Sequence, residues 1–169
     1  MKILMLLTNP FRPDPRVYEE AKTLVNAGYK VTILCWDRDG TYPEKEMVDG
    51  IVVRRIKKLS SYGRPINFLK DIIIFYLRVL ILLRDKKYDI LHAHDFDTLP
   101  LGVILKKLHG SKLVYDTHDH YSSMIMDVVP APMPQIIRLL EKVLIRYTNG
   151  NIAATKELGE AIFASRRYE

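Results

Sequence analysis

Short runs of Ile, Val, Leu and Met alternate along this chain with longer stretches of helical length. The runs fall at Lys2–Leu7, Lys30–Trp36, Ile51–Ile56, Ile90–Ala93, Lys112–Tyr115 and Asn151–Ala154. Most are nearly continuous in apolar residues and do not alternate with polar ones, which is the pattern of strands covered on both faces. The intervening stretches predict helices. The first opens at Asp14 or Pro15 and ends at Gly28, with proline in its first turn and glycine after its last. Others are expected over Ile66–Arg84, Leu99–Leu108 (closed by Gly110), Pro134–Tyr147 and Lys156–Ala164. Strand–helix alternation with short links implies right-handed crossovers and a doubly wound, Rossmann-like parallel α/β sheet with helices on both faces. No internal repeat, low-complexity segment or interdomain linker interrupts it. Residues 1–169 therefore read as a single domain, and MIMDVVPAPMP at 124–134 reads as its most loop-like stretch.

In open α/β sheets, ligands bind beyond the carboxyl ends of the strands. Polar residues gather there. The first strand delivers Thr8 and Asn9, the second Asp37, the fourth His94, Asp95 and Asp97, the fifth Thr117, His118 and Asp119, and the sixth Thr155. This convergence from distant parts of the chain predicts a ligand site without naming the ligand.

Composition narrows the classes. Apolar residues are 48% and charged residues 27%, ordinary for a globular domain, and the net charge is +6. The single cysteine, Cys35, excludes a disulfide scaffold or a cysteine-based zinc module and fits a reducing cytosol; like Trp36, it reads as core. The apolar stretch Ile3–Leu7 is too short for a signal peptide, and no stretch reaches the ~20 clean apolar residues of a membrane span. The segment Ile66–Leu83 is apolar almost all round, interrupted by Arg78. Over residues 51–87, ten Lys/Arg stand against Asp71 and Asp85, a local surplus of 10 − 2 = +8. A basic patch flanking an apolar helix suits an anionic bilayer surface, and equally a helix packed on the sheet with solvated basic ends. No helix-turn-helix, RNP or zinc-finger pattern is present, so nucleic acid is not expected as a partner.

Three chemistries compete for the strand ends. His92 and His94 share one strand face and, with Asp95, His118 and His120, contain the donor types of a metal shell. Their spacing matches no tight signature such as HExxH, and a satisfied core histidine is the commoner reading of His92. The loop TNPFRPDPRV has neither GxGxxG nor GKS/T, which disfavours NAD-type and P-loop binding. Within it, Arg16 suits an anionic or hydroxyl-rich ligand and Asp14 suits either that ligand or a helix cap. The pair HAHD and DTHD carries most weight. Each places a histidine beside carboxylates where a buried strand stops, an arrangement suited to proton handling or hydroxyl recognition. His109 reads only as a last-turn residue favourable to its helix dipole.

The segments DPRVYEEAKTLVNAGYKVTIL, YDILHAHDFDTLPLG, KLVYDTHD and NIAATKELGEAI follow one another in an order that resembles the N-terminal domain of group 1 (GT4-like) retaining GT-B glycosyltransferases. The resemblance covers nearly the whole chain. It implies an acceptor-binding half, with a nucleotide-sugar held mainly by a second Rossmann-like domain and passed to a hydroxyl of a glycan or lipid-linked acceptor. His118 matches the family histidine that reaches the transferred sugar. Asp95 matches an acidic residue that contacts sugar hydroxyls in some relatives, with Asp97 and Asp119 beside it and Thr155 on the next strand end. Asp14 and Arg16 fall in the acceptor-side loop, which here lacks the Gly-Gly pair of many relatives. No cofactor and no catalytic metal are expected on this resemblance.

On the same resemblance the donor domain is missing after FASRRYE, so the isolated chain is expected not to turn over. A donor-binding domain in cis or in trans is the expected partner, and the expected place is the cytoplasm, peripheral to the inner face of the cell membrane. The rival readings are a non-catalytic membrane-associated subunit that recruits a donor-binding chain and a metal-dependent hydrolase built on the His/Asp cluster.

Overall fold

A computed structural model of the chain describes residues 1–12, 14–60, 65–118 and 132–163. Asp119, His120 and most of the 124–134 stretch lie outside the described residues. Seven strands form one sheet: β1 (Lys2–Leu7), β2 (Lys30–Asp37), β3 (Lys45–Val48), β4 (Ile51–Lys57), β5 (Ile90–His94), β6 (Lys112–Thr117) and β7 (Gly150–Ala153). Their spatial order is β3-β4-β2-β1-β5-β6-β7. All neighbours pair in parallel except β3 with β4. Among the described residues the helices are α1 (Pro15–Asn26), α2 (Pro65–Leu83), α3 (Leu99–His109), α4 (Met133–Leu144), continued by a 3-10 turn over Ile145–Tyr147, and α5 (Lys156–Phe163).

The six expected strands and five expected helices are all present, with ends displaced by a few residues. The addition is β3, an antiparallel edge strand. Asp49 and Gly50 both take positive φ, 49° and 85°, which gives a two-residue turn whose twist suits a hairpin. Strand β6 also runs on through Asp116 and Thr117, because the Asp95 N–H donates to the Asp116 carbonyl at 2.8 Å and Ala154 N–H to that of Thr117 at 3.1 Å.

Alternation along the strands sorts two cores. On one face Ile3, Met5, Ile33, Cys35 and Val53 pack under Val17 and Ala21 of α1. On the other, Leu4, Leu6, Trp36, Leu91 and Tyr115 meet Phe75 and Val79 of α2, Leu101 and Leu105 of α3, and Ile162 and Phe163 of α5. The second core also holds a buried hydrogen bond from the Tyr115 hydroxyl to Glu141 Oε1 at 2.5 Å. Helix α2 is buried on one side only. Leu69, Ile73, Leu77 and Ile81, four residues apart, form an exposed apolar ridge along the other.

The formal +8 of residues 51–87 is partly used inside the fold. The Arg55 side chain is fully buried: its Nε donates to the Pro10 carbonyl at 2.9 Å, Nη1 to that of Pro43 at 3.1 Å and Nη2 to Glu46 Oε1 at 2.6 Å. Lys58 pairs with Asp71 at 2.7 Å, and Arg78 donates to the Lys57 carbonyl at 2.7 Å.

Candidate functional site

Parallel register places the polar residues. Met5 of β1 faces His92, His92 faces Val114, and His94 faces Asp116. Met5 belongs to the α1 side, so by the period of two along each strand His92, His94 and Asp116 all point to that side as well. Helix α1 lies over this face and brings Glu20 toward them, with its Oε2 4.0 Å from His94 Nε2.

Asp116 is the centre. Its Oδ2 lies 3.1 Å from His118 Nε2, 3.3 Å from His94 Nδ1 and 3.6 Å from His92 Nε2, and its side chain has no solvent exposure. The rings of His92 and His94 stack with centroids 4.2 Å apart, and those of His94 and His118 lie 6.0 Å apart and nearly parallel. Burial alone would raise the Asp116 carboxyl, but the three surrounding imidazoles outweigh it and hold the group far below the usual carboxylate range. Burial pushes His94 down to about 4, against the pull of Asp116. Glu20 is raised, first by burial and then by the Asp116 charge. The expected core histidine at position 92 is buried as read. Its Nε2 has no hydrogen-bond partner, since 3.6 Å is beyond such a bond.

The sequence-predicted residues divide into those that reach this centre and those that do not. His118 follows β6 directly; its N–H donates to Asp95 Oδ1 at 3.2 Å while its ring turns back on Asp116. Asp95 occupies the left-handed region at φ 61°, which aspartate tolerates better than most residues, and burial raises its carboxyl. Its carbonyl accepts from Thr98 N–H at 3.2 Å, turning the chain into α3. Asp97 accepts a hydrogen bond from the Thr8 hydroxyl, and its backbone carbonyl accepts one from Tyr76 at 2.6 Å. Burial pushes the Asp97 carboxyl up to about 7, opposed by the Thr8 bond.

Arg16 is exposed on the first turn of α1, close enough for its charge to lower both Glu20 and Asp95. Asp14 caps α1: Oδ1 accepts from Val17 N–H at 3.2 Å and Oδ2 from Asn9 Nδ2 at 2.8 Å. Thr155 is likewise engaged as a cap, accepting from Leu158 N–H at 3.2 Å at the start of α5. Asp119 lies outside the described residues.

Two residues of the cluster escaped sequence reasoning. Glu20 sits mid-helix with no local signal. Asp116 was legible only as one polar residue among five at a strand end, and its pairing with His94 needs the β5–β6 register.

The cluster offers one buried anion, three imidazoles and a second carboxylate. Chemically it can fix histidine tautomers, move a proton, hold a cation or present hydrogen-bonding groups to a hydroxyl-rich ligand.

Comparison with known proteins bears on which. The model of Glycosyltransferase Family 4 matches residues 16–167. No curated protein matches the sequence. Among solved structures, sucrose-phosphate synthase from Thermosynechococcus elongatus superposes with a TM-score of 0.73 at 13% identity over 95% of this chain and 45% of that one. HepE from Anabaena, solved in complex with UDP and glucose, gives 0.57 at 14% identity over 99% of this chain and 42% of its own. The lipopolysaccharide outer core galactosyltransferase WaaB gives 0.54 at 14%, over 99% and 43%. The chain thus spans less than half the length of these three structures. At such identities the likeness shows the shared α/β fold, with the Rossmann-like sheet expected from the strand pattern.

Proposed function

The chain belongs to glycosyltransferase family 4, and from that premise we propose that it is the acceptor-binding half of a retaining transferase. A sugar would pass from a nucleotide-sugar to a hydroxyl of a glycan or lipid-linked acceptor. The observation that carries the reading is how His118 is held. Its backbone N–H is tied to Asp95 and its Nε2 faces the Asp116 carboxylate at 3.1 Å. Both ring nitrogens of His118 are buried without a hydrogen-bond partner, a capacity that a sugar hydroxyl would satisfy in this reading. In this reading Asp95, which holds the His118 N–H, and Asp97 position hydroxyls. Arg16 supplies an exposed cation for an anionic part of the acceptor, with Asp14 shaping the same loop.

In this reading the nucleotide-sugar is a co-substrate bound mainly by a donor-binding domain, in cis or in trans, and the 169-residue chain alone gives no transfer. No metal takes part in the reaction. The decisive experiment is His118→Ala in a protein or complex that includes the donor domain, assayed for nucleotide-sugar-dependent transfer. Loss of transfer with the fold retained by circular dichroism is expected; near-normal transfer would refute the assignment.

The exposed ridge Leu69–Ile73–Leu77–Ile81, with Lys70, Arg84 and Lys86 around the same helix, supports a peripheral place on the cytoplasmic face of an anionic membrane. No described helix is long and apolar enough to cross a membrane. Flotation with vesicles containing anionic lipid tests the association, and Ile73→Glu with Leu77→Glu is expected to abolish it. A protein that stays at the bottom of the gradient with such vesicles would remove the membrane from the reading.

A further inference from the structure

Glu20, His92, His94 and Asp116 each present one donor atom, and these four atoms lie within 4.8 Å of one another. We propose that they bind a single divalent ion of the zinc class, with His118 bracing Asp116 from outside the ligand set.

Burial and hydrogen bonding carry the argument. The side chains of His94 and Asp116 are 1% and 0% exposed, and that of His92 is 8% exposed. Both carboxylate oxygens of Asp116, both ring nitrogens of His94, His92 Nε2 and Glu20 Oε2 are buried without a hydrogen-bond partner. Orphaned polar atoms this deep are rare in a folded protein, and six in one cluster, eight with the two ring nitrogens of His118, call for a common partner. Hydrogen bonds among the four do not supply it, because the carboxylate–imidazole distances of 3.3, 3.6 and 4.0 Å straddle or exceed bonding range.

The 3.3 and 3.6 Å separations from Asp116 to His94 and His92 suit a shared ion. Bonds of about 2.0–2.1 Å from zinc to nitrogen and oxygen, arranged tetrahedrally, put neighbouring donors about 3.3–3.4 Å apart. Two carboxylates balance the charge of a divalent ion, and neutral imidazole with carboxylate suits zinc and its first-row neighbours. His94 turns Nδ1 toward Asp116 and Nε2 toward Glu20, and one of the two nitrogens serves the ion.

This set differs from the one the sequence offered. Asp116 and Glu20 take the places given there to Asp95 and to His118 and His120. Four protein ligands leave no open position, so the ion is structural. It pins α1 to β5 and β6 and fixes the Asp116 carboxylate against which His118 rests. The inference stands on the cluster alone and does not depend on sugar transfer.

The test is a titration of the EDTA-stripped full chain with Zn2+ and, separately, Co2+. We expect one ion per chain, visible Co2+ absorption of a tetrahedral nitrogen/oxygen site that Zn2+ displaces, and a higher unfolding temperature with metal. His92→Ala and Glu20→Gln, checked for fold by circular dichroism, are each expected to weaken binding by at least about 100-fold. His118→Ala is expected to weaken it by about 10–100-fold, as for an outer neighbour of a ligand. His109→Ala, at the far end of α3, should bind as the parent does. Absence of Co2+ absorption and of a thermal shift in the parent chain would overturn the site, as would parental affinity in both His92→Ala and Glu20→Gln.

Discussion

Asp97→Asn isolates the cost of keeping a carboxylate at the strand ends. Burial pushes the Asp97 carboxyl up to about 7, from an ordinary value near 3.8. The folded state therefore holds a proton that the unfolded chain has released, and stability falls as pH rises between the two values. Between about pH 5 and pH 7 the native state keeps this proton while the unfolded chain stays ionised. Two pH units at about 1.36 kcal/mol each give about 2–3 kcal/mol. Asparagine keeps an acceptor for the Thr8 hydroxyl and removes the titration.

Chelator-treated parent and variant should be unfolded in urea at about pH 5 and pH 8, with the fluorescence of Trp36, the single, fully buried tryptophan, as the probe. With a urea slope of about 2 kcal/mol per molar, the variant should gain on the parent by about 1 M in midpoint over that interval. The parent curve alone is not diagnostic. His94, pushed down to about 4, contributes stability that is present above about 6.5 and lost as pH falls toward 4, the opposite direction. The difference between variant and parent cancels that background. Parallel pH profiles for the two proteins would refute the reasoning.

Two further outcomes test how the site is framed. Asp14→Ala should lose about 1 kcal/mol by removing the α1 cap, and Asp14→Ser should recover most of it; equal stability of the two variants in urea unfolding would remove the cap role. Gly102→Ala places a methyl 2.9 Å from Leu113 Cδ1 and 3.3 Å from Ala93 Cβ. Leu113 can rotate, but Ala93 cannot. Overpacking of about 1–3 kcal/mol should therefore exceed the helix-propensity gain of about 1 kcal/mol, and the thermal midpoint should fall by about 2–4 °C; a rise would show that α3 can lift off the sheet without cost.

The central strands were readable because each carries its own signal. Leu4, Met5 and Leu6 are buried on both sides of the sheet, so the run is apolar throughout and needs no partner to be recognised. Strand β3 has no such run. Lys45 and Met47 are exposed at the sheet edge, and only the Asp49–Gly50 pair marked the hairpin. At the site the same contrast holds. HAHD and DTHD announce themselves within four residues, and the structure sets His118 at the end of β6 against Asp116. Glu20 reaches His94 across 74 positions of chain, through the packing of α1 on the sheet, and no local spacing records it. Asp14, read from the loop after β1, and Thr155, read at a strand end, hold helix termini with their side-chain oxygens.

Arg55 has a consequence for how this domain can change. The loop after β1 is anchored at two points: Thr8 is bonded to Asp97 at the site, and the Pro10 carbonyl is held by a guanidinium that also grips Glu46 in the edge hairpin. The hairpin thus acts as a remote adjuster of the loop's shape. A substitution at Glu46, on the far margin of the sheet, removes one of the bonds that hold this guanidinium under the loop, while Asp95, Asp116 and His118 stay as they are. Selection for a new ligand can work on the margin without disturbing the charged centre.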